Sequence, residues 1–386
     1  MVLLYSIAFF SLLIGMGAIF TLVEKFPVKL LYYHYHFRKP IIWTVFVGGF
    51  IWQFSGGLSG FSTDAIVPLI IITLSVVLTY KVHQSTWFRA VYFPQMAADL
   101  SVLPLSDESE MALIEYQGVT KAYSLDYVIH HHIVNDRFKD RIVALTYCAM
   151  CRTIIPFDTT EIGPLFVASF KNANMIVADK QTGTFFQQAT FNSIIGKLHP
   201  STLRMIPFQI LPWKAIKALK DIPQVAAVNK NDMRPFSLPM PGVWKKVMSL
   251  ELTPGLSHKD RTFASKTRVI GITDPHINAN VVYLKSEILQ QGIVTNDSFN
   301  FTLLVIGNSI NGYKSAVASK KIHLRLGDES IIEDTLTDTR WDVSGKFISG
   351  SLDANLEKIT LSDEYWFAWK KFHPNSKLLR LSDTQS

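Results

Sequence analysis

The sequence predicts an α+β, mainly β fold: a tandem duplicated domain of short strands with few helices, preceded by three transmembrane helices. Three observations carry this. Apolar residues crowd the first ninety positions of the 386-residue chain. Beyond them, short apolar or alternating runs are broken by Gly, Pro, Asn and Asp, as in strands with turns between them. The order of those runs then repeats.

The apolar stretches come first. Val2 to Val23, Ile41 to Phe61 and Ala65 to Tyr80 carry no charged side chain. About 20 apolar residues span a bilayer as a helix, so the first two are long enough and the third is marginal. A cleaved signal peptide fits poorly, because no Lys or Arg precedes Glu24 and Phe20-Thr21-Leu22 is a poor cleavage site. Lys25, Lys29, Arg38 and Lys39 lie in the first loop, and Lys81 and Arg89 follow the third stretch. The bias of Lys and Arg toward the cytoplasmic side places that loop and the C-terminal bulk in the cytoplasm. The expected partner is the lipid bilayer, as for an integral protein of a bacterial inner membrane, with a periplasmic body as the alternative. The net charge of +7 gives no warrant for nucleic acid, since no basic stripe interleaves with aromatics in the remainder.

From about Gln95 the strand candidates are Met111–Tyr116, Arg141–Tyr147, Thr153–Phe157, Leu165–Phe170 and Met175–Ala178. Tyr123–His132 reads as a short helix. Leu211–Leu219 reads as another, with Pro212 at a favoured start. Tyr123–Asp136 parallels Tyr283–Asp297 with one extra residue, Met175–Phe186 parallels Ile332–Trp341, and Leu211–Ala215 parallels Tyr365–Trp369. Each copy also holds an Ile-x-Gly, ending at Gly196 and at Gly350. The expected organisation is a membrane region at 1–94, a first repeat at 95–228, a linker or excursion rich in Pro and Lys at 229–265, and a second, degenerate repeat at 266–386.

Only two cysteines occur, in Cys148-Ala149-Met150-Cys151. One pair this close cannot staple a fold of this size, so a disulfide framework is excluded. Where the first copy has Thr-Tyr-Cys-Ala-Met-Cys, the second has Val305 to Ile310, and where the first has His131 the second has Gln291. Any chemistry is therefore expected in the first copy. No phosphate loop, dinucleotide fingerprint, nucleophile elbow or His-Glu-x-x-His motif is present.

Four segments in order resemble the domain of unknown function 3179 family. They are Gly118 to Ser124, His131-His132-Ile133-Val134-Asn135-Asp136, Thr146 to Arg152, and Asp179-x-x-Thr182-x-Thr184 running on to Phe186 and Gln188. The chain departs from the family pattern at Ser124, His132, Ala149, Met150, Arg152 and Phe186, which stand for Pro, Glu, Pro, Leu, Gly and Trp. The resemblance covers most of residues 95 to 382. It implies a shared fold and site position and brings no reaction with it.

Three readings of the cysteines remain open. A thioredoxin-like redox pair needs a helix starting at the pair, and the β-branched, Pro-broken run after Cys151 argues against one. A metal knuckle places two sulfurs at the tip of a strand–turn–strand, half of a tetrahedral site for a transition metal such as zinc. The other ligands would come from the histidine cluster, with His131 first, since it matches the family position. His130, His132, Asn135, Asp136 and Gln188 would stand around it. The third reading is two small buried residues in a core. Gln187, Asn172 and Asn174 are candidates to line a polar pocket. The expected function is metal-dependent or thiol-dependent chemistry at this Cys/His site, and the alternative is a membrane-anchored interaction or sensing module without catalysis.

Overall fold

The computed structural model describes residues 2–55, 63–228, 246, 248–250, 253, 255–256, 260–274, 279–327 and 331–381. Three helices open the chain: Val2–Gly15, Val28–Phe54 and Ile66–Lys81. They pack through Leu4, Ala8, Leu69 and Ile72. Gly15 permits the crossing, because a Cβ there would lie 2.9 Å from the Ser75 carbonyl oxygen.

The three expected spans differ in how well the structure supports them. Among the described residues, one helical stretch, Thr63–Lys81, is long and apolar enough to cross a membrane. The first apolar run does not stay helical: its helix stops at Gly15 and a 3₁₀ turn, Gly17–Leu22, follows, as two nearby glycines favour. The second helix begins upstream of its apolar run and so includes Lys29, Arg38 and Lys39. Part of that run, 56–61, lies outside the described residues.

The remainder is mainly β, in several small sheets. The hairpin Glu110–Tyr116/Val119–Ser124 is extended by Phe208–Pro212. The helix Leu125–His131 follows, and His132 ends it at φ 63°. Next comes a meander of Ile133–Phe138, Arg141–Cys148 and Thr153–Asp158. A four-stranded sheet of Leu165–Lys171, Asn174–Asp179, Phe185–Gln187 and Ser193–Ile195 completes this half.

The second half has the same order. Its hairpin is Arg268–Asp274/Ala279–Leu284, extended by Ser362–Tyr365. The helix Lys285–Gln291 ends at Gly292, φ 79°. The meander is Ile293–Asn296, Phe301–Ile306, Ser309–Lys314. The last sheet is Leu324–Leu326, Ile331–Asp334, Arg340–Asp342, Phe347–Ser349.

Side-chain detail also matches. Thr182 donates to Asp179 and meets Thr184, while Thr337 donates to Asp334 and meets Thr339. Gly196 and Gly350 sit at φ 129° and 119°, where a Cβ would strike Thr184 and Thr339 respectively. The Tyr123 hydroxyl donates to Asp136 at 2.7 Å, and Asn296 donates to the Tyr283 hydroxyl at 2.7 Å. Asp136 thus corresponds to Asn296, not Asp297, and no extra residue intervenes. The later helices start at Trp213 and Trp366, so Pro212 corresponds to Tyr365, one position from the sequence alignment. Most of the expected linker, 229–265, lies outside the described residues.

Two contacts position the site. Strand Ser362–Tyr365 of the second half lies against the first half's cysteine turn, where the Tyr365 N–H donates to the Cys151 carbonyl at 3.1 Å. Reciprocally, Asn311 donates to the Ile210 carbonyl at 3.0 Å. The helical region is also docked. Val28, Tyr32 and Tyr35 pack on Ala168, Ile176, Ala178 and Phe185, and the Lys171 ammonium donates to the carbonyls of Val23, Glu24 and Phe26.

Candidate functional site

Cys148 ends one strand and Thr153 begins the next, so Ala149-Met150-Cys151-Arg152 forms the turn. No helix starts at Cys151. In the second half the corresponding hairpin closes from Ile306 to Ser309 over Gly307 and Asn308 alone. The cysteine turn is therefore two residues longer, and Cys151 lies within it. Arg152 takes φ 63°, a conformation costing a non-glycine residue about 1–2 kcal/mol. Its guanidinium is tied to Glu110 at 3.2 Å and to Asp363 at 3.7 Å.

Both thiols are free and fully buried. Burial opposes a charge on Cys148. The Cys151 thiol and the backbone N–H groups of Cys151, Met150 and Met175 outweigh it and hold the Cys148 thiol below its usual range. Burial and the neighbouring Cys148 push Cys151 well above its own. Cys151 Sγ accepts from Thr153 Oγ1 at 3.0 Å and from Asn174 Nδ2 at 3.1 Å. Asn174 cannot be flipped, because its Oδ1 already accepts from Gln187 Nε2 and from the Ala189 N–H. Gln188 braces the turn by donating to Thr146 Oγ1 and the Thr153 carbonyl, and it accepts from Asn174.

A second-half residue completes the cluster. Thr153 Oγ1 lies 3.2 Å from Glu364 Oε2, and the Ser362 hydroxyl donates to Glu364 Oε1. Burial, then the Cys151 sulfur, push the Glu364 carboxyl up to about 8. Asp363 next to it behaves oppositely. Burial would raise it, but Arg152, Arg268 and Lys285 hold it well below the usual carboxylate range.

The Thr153 hydroxyl has one proton, so it donates to one neighbour and accepts from the other. The arrangement matching every direction above is a chain. Glu364 O–H donates to Thr153 and Thr153 O–H donates to Cys151, while the Cys151 thiol faces the Cys148 carbonyl at 3.8 Å and the Cys148 thiol the Ala173 carbonyl at 3.9 Å. Beyond Glu364 lies a narrow cleft of about 60 Å³, lined by Thr153, Ile155, Phe191, Phe208, Leu361, Ser362, Glu364 and Trp369 among others.

The expected metal ligands are not brought together. His131 directs Nδ1 to the Arg89 carbonyl at 2.8 Å and packs edge-on against Tyr127 and His130. His132 donates Nδ1–H to the Ile129 carbonyl and stacks on Phe88, and burial pushes it down to about 3. Asn135 pins Leu165 and Val91 through backbone groups, and Asp136 accepts from Lys121 and Tyr123. Both stabilise the strands rather than line the site. Among the described residues, no group of three or more His, Cys, Asp or Glu is close enough to hold a metal ion. The donor set therefore does not fit a Cys2His centre. The sequence reading missed Thr153, Arg152, Asp363 and Glu364. The adjacent acids Asp363-Glu364 in an otherwise apolar, aromatic segment were the one signal available.

These features define a mainly β protein of two similarly ordered halves, with a buried dithiol in the first half and an apolar helical segment in front. The chain belongs to the family described as Protein of unknown function (DUF3179), whose model matches residues 88–376. The match leaves all three opening helices outside it. No curated protein and no solved structure matches the chain.

Proposed function

We propose that this protein carries out thiol-dependent chemistry at Cys148, with protons supplied or removed through Cys151, Thr153 and Glu364. The observation that carries this reading is the Thr153 hydroxyl standing between Cys151 Sγ and Glu364 Oε2. Through Cys151 it connects Cys148, a thiol held below its usual range, with a carboxyl held above its own. Those are the opposed shifts that acid–base partners need. The surplus of cations over acids around Asp363 favours negative charge nearby.

We further propose that the two halves arose by tandem duplication, with boundaries near 95–228 and 266–386. The shared element order, the paired Asp/Thr turns and the matched Tyr123 and Tyr283 bonds support this. The same reading holds the protein at a membrane with three N-terminal helices in the bilayer. Its supports are the apolar faces that remain exposed on all three, including Phe9, Phe10, Ile51, Ile70 and Val77. The Lys and Arg distribution favours a cytoplasmic body, and a reporter fused after Gln95 tests that side.

The chemistry is tested with methyl methanethiosulfonate, a small neutral thiol reagent. The full chain in lipid nanodiscs is labelled from pH 5 to 10 and read by mass spectrometry. Cys148 should be the modified residue, with a half-maximal rate below the ordinary cysteine value of about 8.5. Cys151→Ala, which removes the neighbouring donor, should move that midpoint upward. Labelling of neither thiol until the protein is denatured would leave the cysteines structural and favour the interaction-module reading. Metal content on the same samples, lost in Cys148→Ser, would restore the zinc-knuckle reading.

A further inference from the structure

We propose that the groove between the helices Val28–Phe54 and Ile66–Lys81 holds one acyl chain of an anionic phospholipid, with the lipid phosphate at Lys39 and Arg38. This site rests on the bilayer reading above and adds the class of lipid, its leaflet and its place.

The two helices run antiparallel. Trp43 Nε1 donates to the Tyr80 hydroxyl at 3.0 Å at one end, and Phe54 and Ile66 line the other. Trp43, Phe46, Phe50 and Phe54 recur three or four residues apart, which puts them on one helix face, and each ring meets the next. Ile66, Ile70, Thr73, Val77 and Tyr80 have the same spacing on the other helix. Between these ridges lies a laterally open groove of about 540 Å³, within the roughly 300–1,000 Å³ of small-molecule sites. Its lining is apolar, because the Thr73 hydroxyl is turned back onto the Leu69 carbonyl at 2.8 Å. The groove itself offers hydrocarbon contact and no polar recognition.

Its length matches a lipid tail. From Ile66 to Val77 the helix rises about 16 Å, and one leaflet's share of the hydrocarbon core is about 15 Å. A single chain lying there keeps its headgroup at the membrane surface.

Charge decides which end and which sign. Tyr80 lies one turn beyond Val77, and the Lys39 ammonium stands over its ring at 5.1 Å. Trp and Tyr collect at the level of the headgroups. Beside Lys39, Arg38 is 4% exposed, lies over the Tyr35 ring at 5.0 Å and donates to the Tyr35 carbonyl, while its Nε has no hydrogen-bond partner. Among the described residues neither cation pairs with a carboxylate. A cation so buried without a counter-charge is costly, and a phosphate supplies that charge. The far end carries Asp64 instead, which repels an anion. Val28, Tyr32 and Tyr35 dock on the body just before the Arg38–Lys39 end, so the lipid belongs to the leaflet facing the body.

The full chain in detergent is titrated with dioleoylphosphatidylglycerol or with zwitterionic dioleoylphosphatidylcholine, and retained lipids are counted by native mass spectrometry. Two substitutions at exposed positions are compared, Lys39→Gln at the headgroup and Thr73→Trp in the groove. Melting curves within a few degrees of wild type verify folding. The expected result is one tightly retained phosphatidylglycerol per chain, with phosphatidylcholine clearly weaker. Lys39→Gln should weaken phosphatidylglycerol about fivefold, the worth of one basic residue at an anionic surface, and leave phosphatidylcholine unchanged. Thr73→Trp should weaken both roughly tenfold, about what two uncovered methylene groups cost. Glycerol 3-phosphate, a headgroup without tails, should not displace the lipid. Equal retention of the two lipids, unchanged affinity in either folded variant, or displacement by glycerol 3-phosphate would each overturn the proposal. So would a dimer that Thr73→Trp dissolves, since a second copy would then occupy the groove. Flotation with phosphatidylcholine vesicles separates this site from the bilayer reading. A chain that floats yet retains no phosphatidylglycerol loses this inference alone, and a chain that does not float loses both.

Discussion

Replacing Glu364 by Gln gives the most direct measure of the buried carboxyl. Gln is nearly isosteric, stays neutral at every pH, and keeps both an acceptor toward Ser362 and a donor toward Thr153. The folded protein holds Glu364 at about 8 against an ordinary value of 4.5. An acid raised on folding favours the protonated native state. Its contribution is fully present below about 4.5 and is lost as pH rises toward 8. Each unit of separation is about 1.4 kcal/mol, so the ceiling is about 5 kcal/mol. Relaxation and water entry around buried groups raise the effective dielectric constant, which brings the expected loss to roughly 2–3 kcal/mol. Thermal unfolding of wild type and Glu364→Gln should be followed from pH 4 to 9.5. Wild type should lose stability relative to the variant by that amount between pH 5 and 8, then run parallel to it. Parallel curves across the whole range would refute both the raised carboxyl and the relay built on it.

Arg152→Gly should cost less than Arg152→Ala by about 1 kcal/mol, because both lose the same ion pairs and only glycine is relaxed at φ 63°; chemical denaturation of the two variants decides it. Asn174→Leu removes a donor to Cys151 and leaves Gln187 and the Ala189 N–H without their acceptor. It should destabilise by roughly 1–3 kcal/mol and raise the Cys148 labelling midpoint, and an unchanged midpoint would detach Asn174 from the thiol pair. Gly271→Ala would place a Cβ 2.0 Å from the Trp369 ring. Overpacking of that kind costs roughly 1–3 kcal/mol, read as a fall in melting temperature that Trp369→Leu partly reverses.

The strands were legible because alternation and turn residues are local. Arg141–Cys148, Thr153–Asp158 and Leu165–Lys171 lie within one or two residues of their expected bounds. The short helix was read as Tyr123–His132 and runs Leu125–His131, since Tyr123 and Ser124 remain paired with Ala112 and Met111. The repeat was legible in order but not in register. Asp297 drew the alignment one residue too far because Asp136 and Asn296 differ in side chain while sharing a bond to a tyrosine. The histidines misled for a different reason. Three adjacent rings look like ligands in sequence, yet backbone carbonyls and aromatic faces take them up. Glu364 was out of reach altogether. It stands 211 residues from the threonine it meets, and only the packing of one half's edge strand on the other's hairpin brings it there.

The length of one turn carries an experimental consequence. Replacing Ala149-Met150-Cys151-Arg152 with Gly-Asn would give the first hairpin the closure that Gly307-Asn308 already provides in the same chain. The partner strands, their pairing and the Gln188 brace would keep their places. Such a shortened protein would keep Cys148 and lose Cys151 together with the Arg152 ion pairs and the carbonyl that Tyr365 N–H bonds, and its melting curve reports what those contacts contribute. Labelling measured against it would report on the whole four-residue turn, with Cys148 left in place at the end of its strand.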